Sequence, residues 1–113
     1  MEYNLEKRTE KFSEDIIDLC QKLPKTAITL PLIKQIIRSA TSIGANYSEA
    51  NGASSPKDFR NKILICKRES METRYWLKMF FKAIPNQHAI FAILYQEAHE
   101  LSLIFSKIAL IKK

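Results

Sequence analysis

The sequence has few of the residues that build turns, with only two glycines and four prolines among its 113 residues. Because both residue types dominate tight turns, such a chain has few places to reverse direction. We therefore expect a small number of long elements, which means helices. The length fits one domain, covering residues 1–113, with a core that needs no disulfide or metal.

Cysteine is equally scarce, with Cys20 and Cys66 far apart and no paired CxxC motif. Both lie at apolar positions of helical stripes, so we interpret them as small buried hydrophobes; a disulfide between them stays an alternative. No uncharged apolar run approaches the roughly 20 residues of a membrane span, and the first twelve residues lack a signal-peptide core. We expect a soluble, cytoplasmic protein without membrane contact.

Positive charge is in excess, with 18 Lys and Arg against 12 Asp and Glu and a formal net charge of +6. A basic balance favours contact with nucleic acid, an anionic membrane or an acidic protein. Solubility alone is the alternative, since this charge is within the usual range for small domains. The hydrophobic fraction of 46% argues against disorder.

Apolar residues recur at helical spacing in four segments, which predicts helices over residues 4–23, 29–51, 56–83 and 87–111. Thr29 is the expected N-cap of the second helix and Ser55 that of the third, where Pro56 suits the first helical position. Asn51-Gly52 can end the second helix in a left-handed conformation. Short joints make neighbouring helices antiparallel, so the expected fold is all-α, an up-down-up-down four-helix bundle.

The third and fourth predicted helices carry more apolar positions than one core-facing stripe needs. The additional positions are Leu64, Met71, Tyr75, Ile93, Ile104 and Ile111. Exposed apolar patches usually mark interfaces, so we expect Leu64, Met71, Tyr75 and Ile104 to join copies of the chain. Scattered surface apolar residues are the alternative.

The second predicted helix has a polar side opposite its apolar face. This side consists of Arg38, Ser42, Asn46 and Glu49. One interpretation is a solvated outer face. The other is a hydrogen-bonded contact in which Arg38 and Glu49 find partners on the third helix or on a neighbouring chain. In it, Arg38 forms a bidentate pair with a carboxylate such as Glu69 or Glu72, and the six residues make a polar interface network.

Basic residues concentrate in the third predicted helix, where residues 57–82 contain eight Lys and Arg against three Asp and Glu. Four of them fall within one flank: Arg60, Lys67, Arg74 and Lys78. Repeated around an oligomer, the flank would form a positive ring that binds phosphates with little base selectivity and a strong salt dependence. A solvated flank that maintains solubility is the alternative.

No catalytic constellation is recognisable. A di-iron bundle needs two Glu-x-x-His pairs, and neither Glu69/Glu72 nor the segment 97–100 supplies one. His88 and His99 have no metal-ligand set around them, and no glycine-rich phosphate loop exists. We expect no enzyme, no metal and no cofactor; metal analysis of the purified protein would test this.

The segment RSATSIGANYSEANGASSPKDF, followed by KRESMETRYWLKMF, resembles the four-helix-bundle proteins associated with intervening sequences in bacterial 23S ribosomal RNA genes. The resemblance covers residues 30–82 closely and the first and last helices only in pattern. The residues that match the family pattern are Arg38, Ser42, Ile43, Asn46, Glu49, Asp58, Phe59, Glu69, Glu72, Tyr75, Trp76 and Leu77. Asn51 departs from it, because the family often has Gly or Gln there.

The family is similar to the accessory protein of diversity-generating retroelements. The resemblance implies a ring-like homopentamer of four-helix subunits, and for the retroelement protein it implies binding to nucleic acid and to a reverse transcriptase. The sequence therefore predicts a non-catalytic oligomer that binds structured RNA, an RNA–protein complex or DNA, with a nucleic-acid enzyme as a further candidate partner. A protein–protein scaffold without nucleic-acid contact is the alternative.

Overall fold

The computed structural model describes residues 4–111, which form four α-helices. They are α1 (Leu5–Lys22), α2 (Thr29–Asn51), α3 (Pro56–Ala83) and α4 (His88–Leu110), and a short 3-10 turn, Pro85–Gln87, precedes α4. No strand occurs within the described range. The prediction of an all-α protein with four helices is confirmed. Residues 1–3 and 112–113 of the predicted domain lie outside the described range.

Two helix starts show how local side chains set the helix boundaries. At α3, the Ser55 hydroxyl accepts a hydrogen bond from the backbone N–H of Asp58 at 3.0 Å, as predicted for an N-cap followed by Pro56. At α2 the predicted cap is wrong. The Thr26 hydroxyl accepts from the backbone N–H groups of Ile28 and Thr29 at 3.2 and 3.1 Å, while Thr29 is buried in the first turn and donates to the Pro24 carbonyl.

The ends of α1 and α2 depend on other groups. The Lys25 ammonium donates to the carbonyls of Cys20 and Leu23 at 2.7 and 2.6 Å, which satisfies carbonyls that have no partner inside α1. Gly52 ends α2 with φ −100°, so the expected left-handed conformation is wrong. Its backbone N–H instead bonds the Glu49 carbonyl at 3.1 Å, a tighter last turn that needs no positive φ.

All four helices contribute to one hydrophobic core. Its largest fully buried apolar side chains are Phe12, Ile16, Ile36, Ile43, Ile63, Leu77, Phe80, Phe91, Leu101 and Phe105. Burying each of them contributes roughly 1.5–3 kcal/mol. Cys20 and Cys66 are buried here as free thiols, which excludes the alternative of a disulfide between them.

The four helices differ in how extensively they pack against one another. Of the four, α3 packs extensively against both α2 and α4, α1 packs against α2, and α1 meets α4 only sparsely. Arg8 holds that thin seam, because its guanidinium bonds Glu97 at 2.7 and 2.9 Å and Glu100 at 2.9 Å. Within residues 4–111 the backbones of α1 and α3 do not approach each other, so these two helices lie on opposite sides of the core.

Two of the helix contacts are close. A Cβ atom on Gly44 of α2 would lie 3.3 Å from the hydroxyl of Thr9, so α1 and α2 approach each other tightly at this glycine. Ser13 of α1 donates to the Ala40 carbonyl at 3.3 Å one turn further along.

In the part of the chain that the structure describes, no helix is both long and apolar enough to cross a bilayer.

Candidate nucleic-acid interface

The basic flank consists of Arg60, Lys67, Arg74 and Lys78, all on the side of α3 that borders α4. Arg60 lies in the first turns of α3, and its Nε donates to the Ala109 carbonyl at 2.8 Å. A cation at this place also complements the negative end of the α4 dipole. Arg60 therefore joins the two helices and still presents the rest of an exposed side chain to solvent.

Arg74 is anchored by an aromatic side chain of α4. Its guanidinium carbon lies 5.3 Å from the ring centroid of Tyr95, and its Nη2 donates to the Tyr95 hydroxyl at 3.3 Å. This hydrogen bond lowers the pKa of Tyr95 below its ordinary value. The Nε of Arg74 is buried and has no hydrogen-bond partner among the described residues, so the stacking geometry fixes this side chain.

Lys67 and Lys78 are held less firmly. Lys67 is half-buried and lies between Arg60 and Arg74 along α3. Lys78 is exposed and lies one turn after Arg74. Within the described range, none of the four basic side chains of the flank forms an ion pair with a carboxylate. The flank therefore keeps its positive charge available to an external anion.

The acidic residues of α3 lie on a different side. Arg38 of α2 bonds Glu69 at 3.3 Å and also donates to Glu72. Glu69 is buried, with a side chain only 8% exposed, whereas the Arg38 side chain is 48% exposed. The two carboxylates are thus matched by a cation from α2, and they lie on the side of α3 that faces α2, away from the basic flank.

The contact of Arg38 differs in detail from the predicted bidentate pair. Its guanidinium divides between two carboxylates that are three residues apart on α3, instead of forming a fork with one of them. Trp76 donates its indole N–H to the same Glu72 at 3.0 Å. Burial by itself would raise the pKa of Glu72, but the hydrogen bonds from Arg38 and Trp76 lower it below its ordinary value.

The six residues expected to form one polar network fall into three separate contacts. Arg38, Glu69 and Glu72 make the first. Asn46 donates to the carbonyl and hydroxyl of Ser42 at 2.9 and 3.1 Å, within α2. Glu49 accepts from Lys62 at 2.8 Å near the other end of the α2–α3 contact. The first and third contacts join two helices of the same chain.

A buried polar contact between α2 and α3 was not apparent from the sequence. The hydroxyls of Ser39 and Thr73 are 2.8 Å apart, and both residues are fully buried. Thr73 also donates to the Glu69 carbonyl, so each hydroxyl has a partner. Small polar residues at core-facing helical positions are the only sequence signal for such a contact, and they do not reveal which residues pair.

The residues expected at an oligomer interface are placed unequally. Met71 and Tyr75 are 49% and 52% exposed, and Leu64 is 36% exposed. Ile104 differs from them, since it is half-buried and packs against the core. Of the two further apolar positions noted in the sequence, Ile93 is exposed on α4 and Ile111 is exposed directly after the end of α4. α3 therefore presents three large apolar side chains to solvent in the middle of its outer side.

Together, the fold and these surfaces define an all-α, four-helix protein with a basic flank on its central helix. The family described as 23S rRNA-intervening sequence protein matches residues 1–107, and the chain belongs to this family. The structure is similar to the crystal structure of a protein of unknown function from the S23 ribosomal protein family of Bacteroides thetaiotaomicron, with a TM-score of 0.83 and 28% identity over 94% of this chain and 98% of that one. No curated protein matches.

Proposed function

We propose that this chain is a non-catalytic, homo-oligomeric protein that binds RNA through the basic flank of α3. The observation that carries the proposal is the unpaired charge of this flank: Arg38 of α2 matches the carboxylates Glu69 and Glu72, while the basic flank has no carboxylate partner within residues 4–111. The description of the family names 23S rRNA, which makes structured RNA the first nucleic acid to test.

For the subunit we propose the antiparallel up-down-up-down arrangement of a four-helix bundle. Contacts between α2 and α3 support it, since Arg38 meets Glu72 while Glu49, further along α2, meets Lys62. Contacts between α3 and α4 follow the same rule, with Arg60 at Ala109 and Arg74 at Tyr95. In both pairs residue numbers rise along one helix and fall along the other, as antiparallel packing requires.

We further propose that subunits associate through exposed apolar side chains as a homopentamer, the assembly that the family resemblance implies. Leu64, Met71 and Tyr75 support association, because a contiguous apolar patch on a helix otherwise stays in water. The number of subunits rests on the resemblance alone. A ring of subunits would repeat the basic flank and increase the affinity for a polyanion through multiple contacts.

The non-catalytic role is supported by the state of the two thiols, the strongest nucleophiles of the chain. Burial raises the pKa of Cys20 to about 11 and that of Cys66 to about 12. Both therefore stay protonated near neutral pH, whereas reactive cysteines are thiolates in accessible, electropositive places. This argues against cysteine chemistry.

A salt titration tests the RNA proposal. Binding of a fluorescent structured RNA and of a duplex DNA is measured by anisotropy between low and high salt. If phosphates dominate, log Kd rises linearly with log salt, and each lysine that contacts a phosphate contributes about 0.7–0.9 to the slope. The variant Lys67→Glu/Lys78→Glu should weaken binding at least tenfold and reduce the slope by about 2.

The matched control is Lys34→Glu/Lys107→Glu, which makes the same charge change at two exposed lysines outside the flank. It should retain most of the affinity. Lysines are chosen because Arg60 and Arg74 also join α3 to α4, so replacing them would disturb packing. Equal losses in the two variants would reduce the effect to net charge and contradict the assignment of the flank.

A protein-directed scaffold is the second candidate, and the exposed apolar residues of α3 favour it. Salt distinguishes the two. Apolar contact with a protein partner changes little between low and high salt, whereas RNA binding weakens steeply. Absence of RNA and DNA binding at low salt, where phosphate contacts are strongest, would leave the scaffold as the better conclusion.

A further inference from the structure

The outer face of α3 combines apolar and basic side chains. It consists of the exposed residues outside the basic flank that point away from the core: Lys57, Asn61, Leu64, Arg68, Met71, Tyr75 and Lys82. Arg68 lies in its middle, between Leu64 and Met71, with a side chain 69% exposed and only a loose approach of 3.8 Å to Glu69. The face therefore combines exposed apolar surface with positive charge, and no helix of the described chain covers it.

A groove of opposite charge lies between α1 and α2. Glu6, Glu10 and Glu14 line one wall at four-residue steps, which places them about 6 Å apart along α1. The floor consists of the small residues Thr9, Ser13, Thr41, Gly44 and Ala45, and the groove encloses about 380 Å³. None of the three glutamates forms an ion pair within residues 4–111.

The row of glutamates has a cost for the isolated subunit. Like charges four residues apart on a helix repel each other and destabilise it. A cation that enters the groove would relieve this repulsion, and the small side chains of Gly44 and Ala45 leave room for large ones from a partner. The groove thus fits a helix that carries basic and bulky apolar residues on the same face.

We propose that the α1–α2 groove of one copy of the chain receives the outer face of α3 of a second copy. The chain itself supplies the complementary charge, with Arg68 central on one surface and Glu10 central on the other. This inference rests on the proposed function only in its homo-oligomeric part. Arg68, on which the contact is centred, lies about 90° around α3 from the basic flank, which borders α4.

The position of the two surfaces determines the type of assembly. Because α1 and α3 lie on opposite sides of the core, one subunit makes both contacts at once, giving its groove to one neighbour and its α3 face to another. Such a head-to-tail contact is heterologous, and it closes into a ring when the rotation per subunit permits. A two-fold dimer, which uses the same surface on both partners, is not the expected product.

A charge exchange between the two surfaces tests the contact. Arg68→Glu and Glu10→Lys are measured singly and together, with the mass followed by multi-angle light scattering over a concentration series. Each single variant should raise the midpoint concentration of assembly at least tenfold. The double variant restores opposite charges across every contact and should return to within about threefold of the wild type. Lys107→Glu on the outer side of α4 is the control and should assemble normally.

A mixing experiment distinguishes head-to-tail from two-fold association. Met71→Asp blocks only the α3 face, and Ala45→Trp fills only the groove; both positions are exposed, so the fold is retained, which circular dichroism checks. Each variant alone should be monomeric. Mixed in equal amounts, they retain one intact groove and one intact α3 face, so 1:1 heterodimers should form and nothing larger.

Each possible result decides between the hypotheses. An oligomeric wild type that none of these variants affects would overturn the assignment of the surfaces and leave the proposed oligomer standing. A wild type that remains at monomer mass at micromolar concentration would contradict both. Larger assemblies in the mixture would contradict the head-to-tail contact. RNA binding is measured separately with the Lys67→Glu/Lys78→Glu variant, so its failure does not bear on these outcomes.

Discussion

Single residues on α3 differ in what their side chains can offer to a ligand. Arg60 and Arg74 are held against α4 by a carbonyl and by an aromatic ring, so little conformational entropy is lost when an anion binds them. Lys67 and Lys78 belong to the same flank without an ion-pair partner within the described range. The arginines therefore give the flank a fixed geometry, and the lysines supply adaptable charge.

The buried thiols predict a loss of stability at alkaline pH. Because burial raises the pKa of Cys66 to about 12, the thiol stays protonated in the fold when it ionises in the unfolded chain above its ordinary value of 9.0. The unfolded state then binds fewer protons, so the free energy of unfolding falls between these two values. The limiting slope is about 1.4 kcal/mol per pH unit.

Urea unfolding at several pH values from 7 to 10.5 measures this effect. Cys66→Ala should be less stable at pH 7, since it leaves a small cavity, but its stability should fall less steeply above pH 9 than that of the wild type. Lysine and tyrosine titration affects both proteins alike and cancels in the comparison. If the free energies of unfolding of the two proteins fell in parallel above pH 9, the thiol would not cause the loss of stability at alkaline pH.

At the scale of the helices, the hydrogen bonds of Arg38 predict that acid weakens the contact between α2 and α3. The pKa of Glu72 is lowered in the fold, so its contribution to stability is present above the ordinary value of 4.5 and is lost as the pH falls through the lowered pKa. Arg38→Met should destabilise by about 1–3 kcal/mol at pH 7, because it leaves buried Glu69 with only the loose approach of Arg68 at 3.8 Å. The free energy of unfolding of this variant should also fall less steeply at acid pH than that of the wild type.

Denaturant unfolding between pH 3 and 7 checks both parts of this prediction. Lys11→Met is the matched control, because it removes an exposed pair with Asp15 inside α1 and should cost less than about 0.5 kcal/mol. If the Arg38 and Lys11 variants lost the same stability and kept the same acid limb, the contact between α2 and α3 would be no more important than an ordinary surface pair.

The buried hydroxyl pair predicts a strong coupling between α2 and α3. Thr73→Val keeps the shape of the side chain but leaves the Ser39 hydroxyl with only its hydrogen bond to the Ile36 carbonyl at 3.3 Å, which should cost about 0.5–1.5 kcal/mol. Adding Ser39→Ala removes the hydroxyl that has lost its partner, so the double variant should lose less stability than the sum of the two single variants. Urea unfolding of the four proteins gives the coupling energy, and simple additivity of the two losses would contradict a direct hydrogen bond.

The elements were largely predictable from the sequence, as was the meeting of Arg38 with Glu69 and Glu72, but most of the other contacts between helices were not. The capping serine and the proline after it fixed the start of α3 because the cap is a local interaction, and helical spacing located the core residues. At α2, Thr26 competes with Thr29 for the same role, and local spacing does not decide between two threonines three residues apart. The contacts of Arg74 with Tyr95 and of Arg60 with Ala109 depend on the register of α3 against α4, which the 3-10 turn between them sets.

In the whole molecule, the four helices are not equivalent. α3 contacts both α2 and α4 along its length, so it cannot detach without exposing most of the core. α1 packs mainly on α2 and meets α4 at a thin seam that Arg8 holds together. Regions with few packed neighbours open at lower free energy than the rest of a protein. We therefore expect α1 to be the first helix to open.

Hydrogen exchange followed by mass spectrometry measures this order. Amides in the middle of α3 should be the most protected, and amides of α1 should exchange faster although several of its side chains are fully buried. Arg8→Met removes the hydrogen bonds to Glu97 and Glu100 while keeping a long apolar side chain, so exchange in α1 should accelerate severalfold with α3 unchanged. If the variant accelerated all four helices equally, the molecule would open as one unit, and the seam between α1 and α4 would have no separate role.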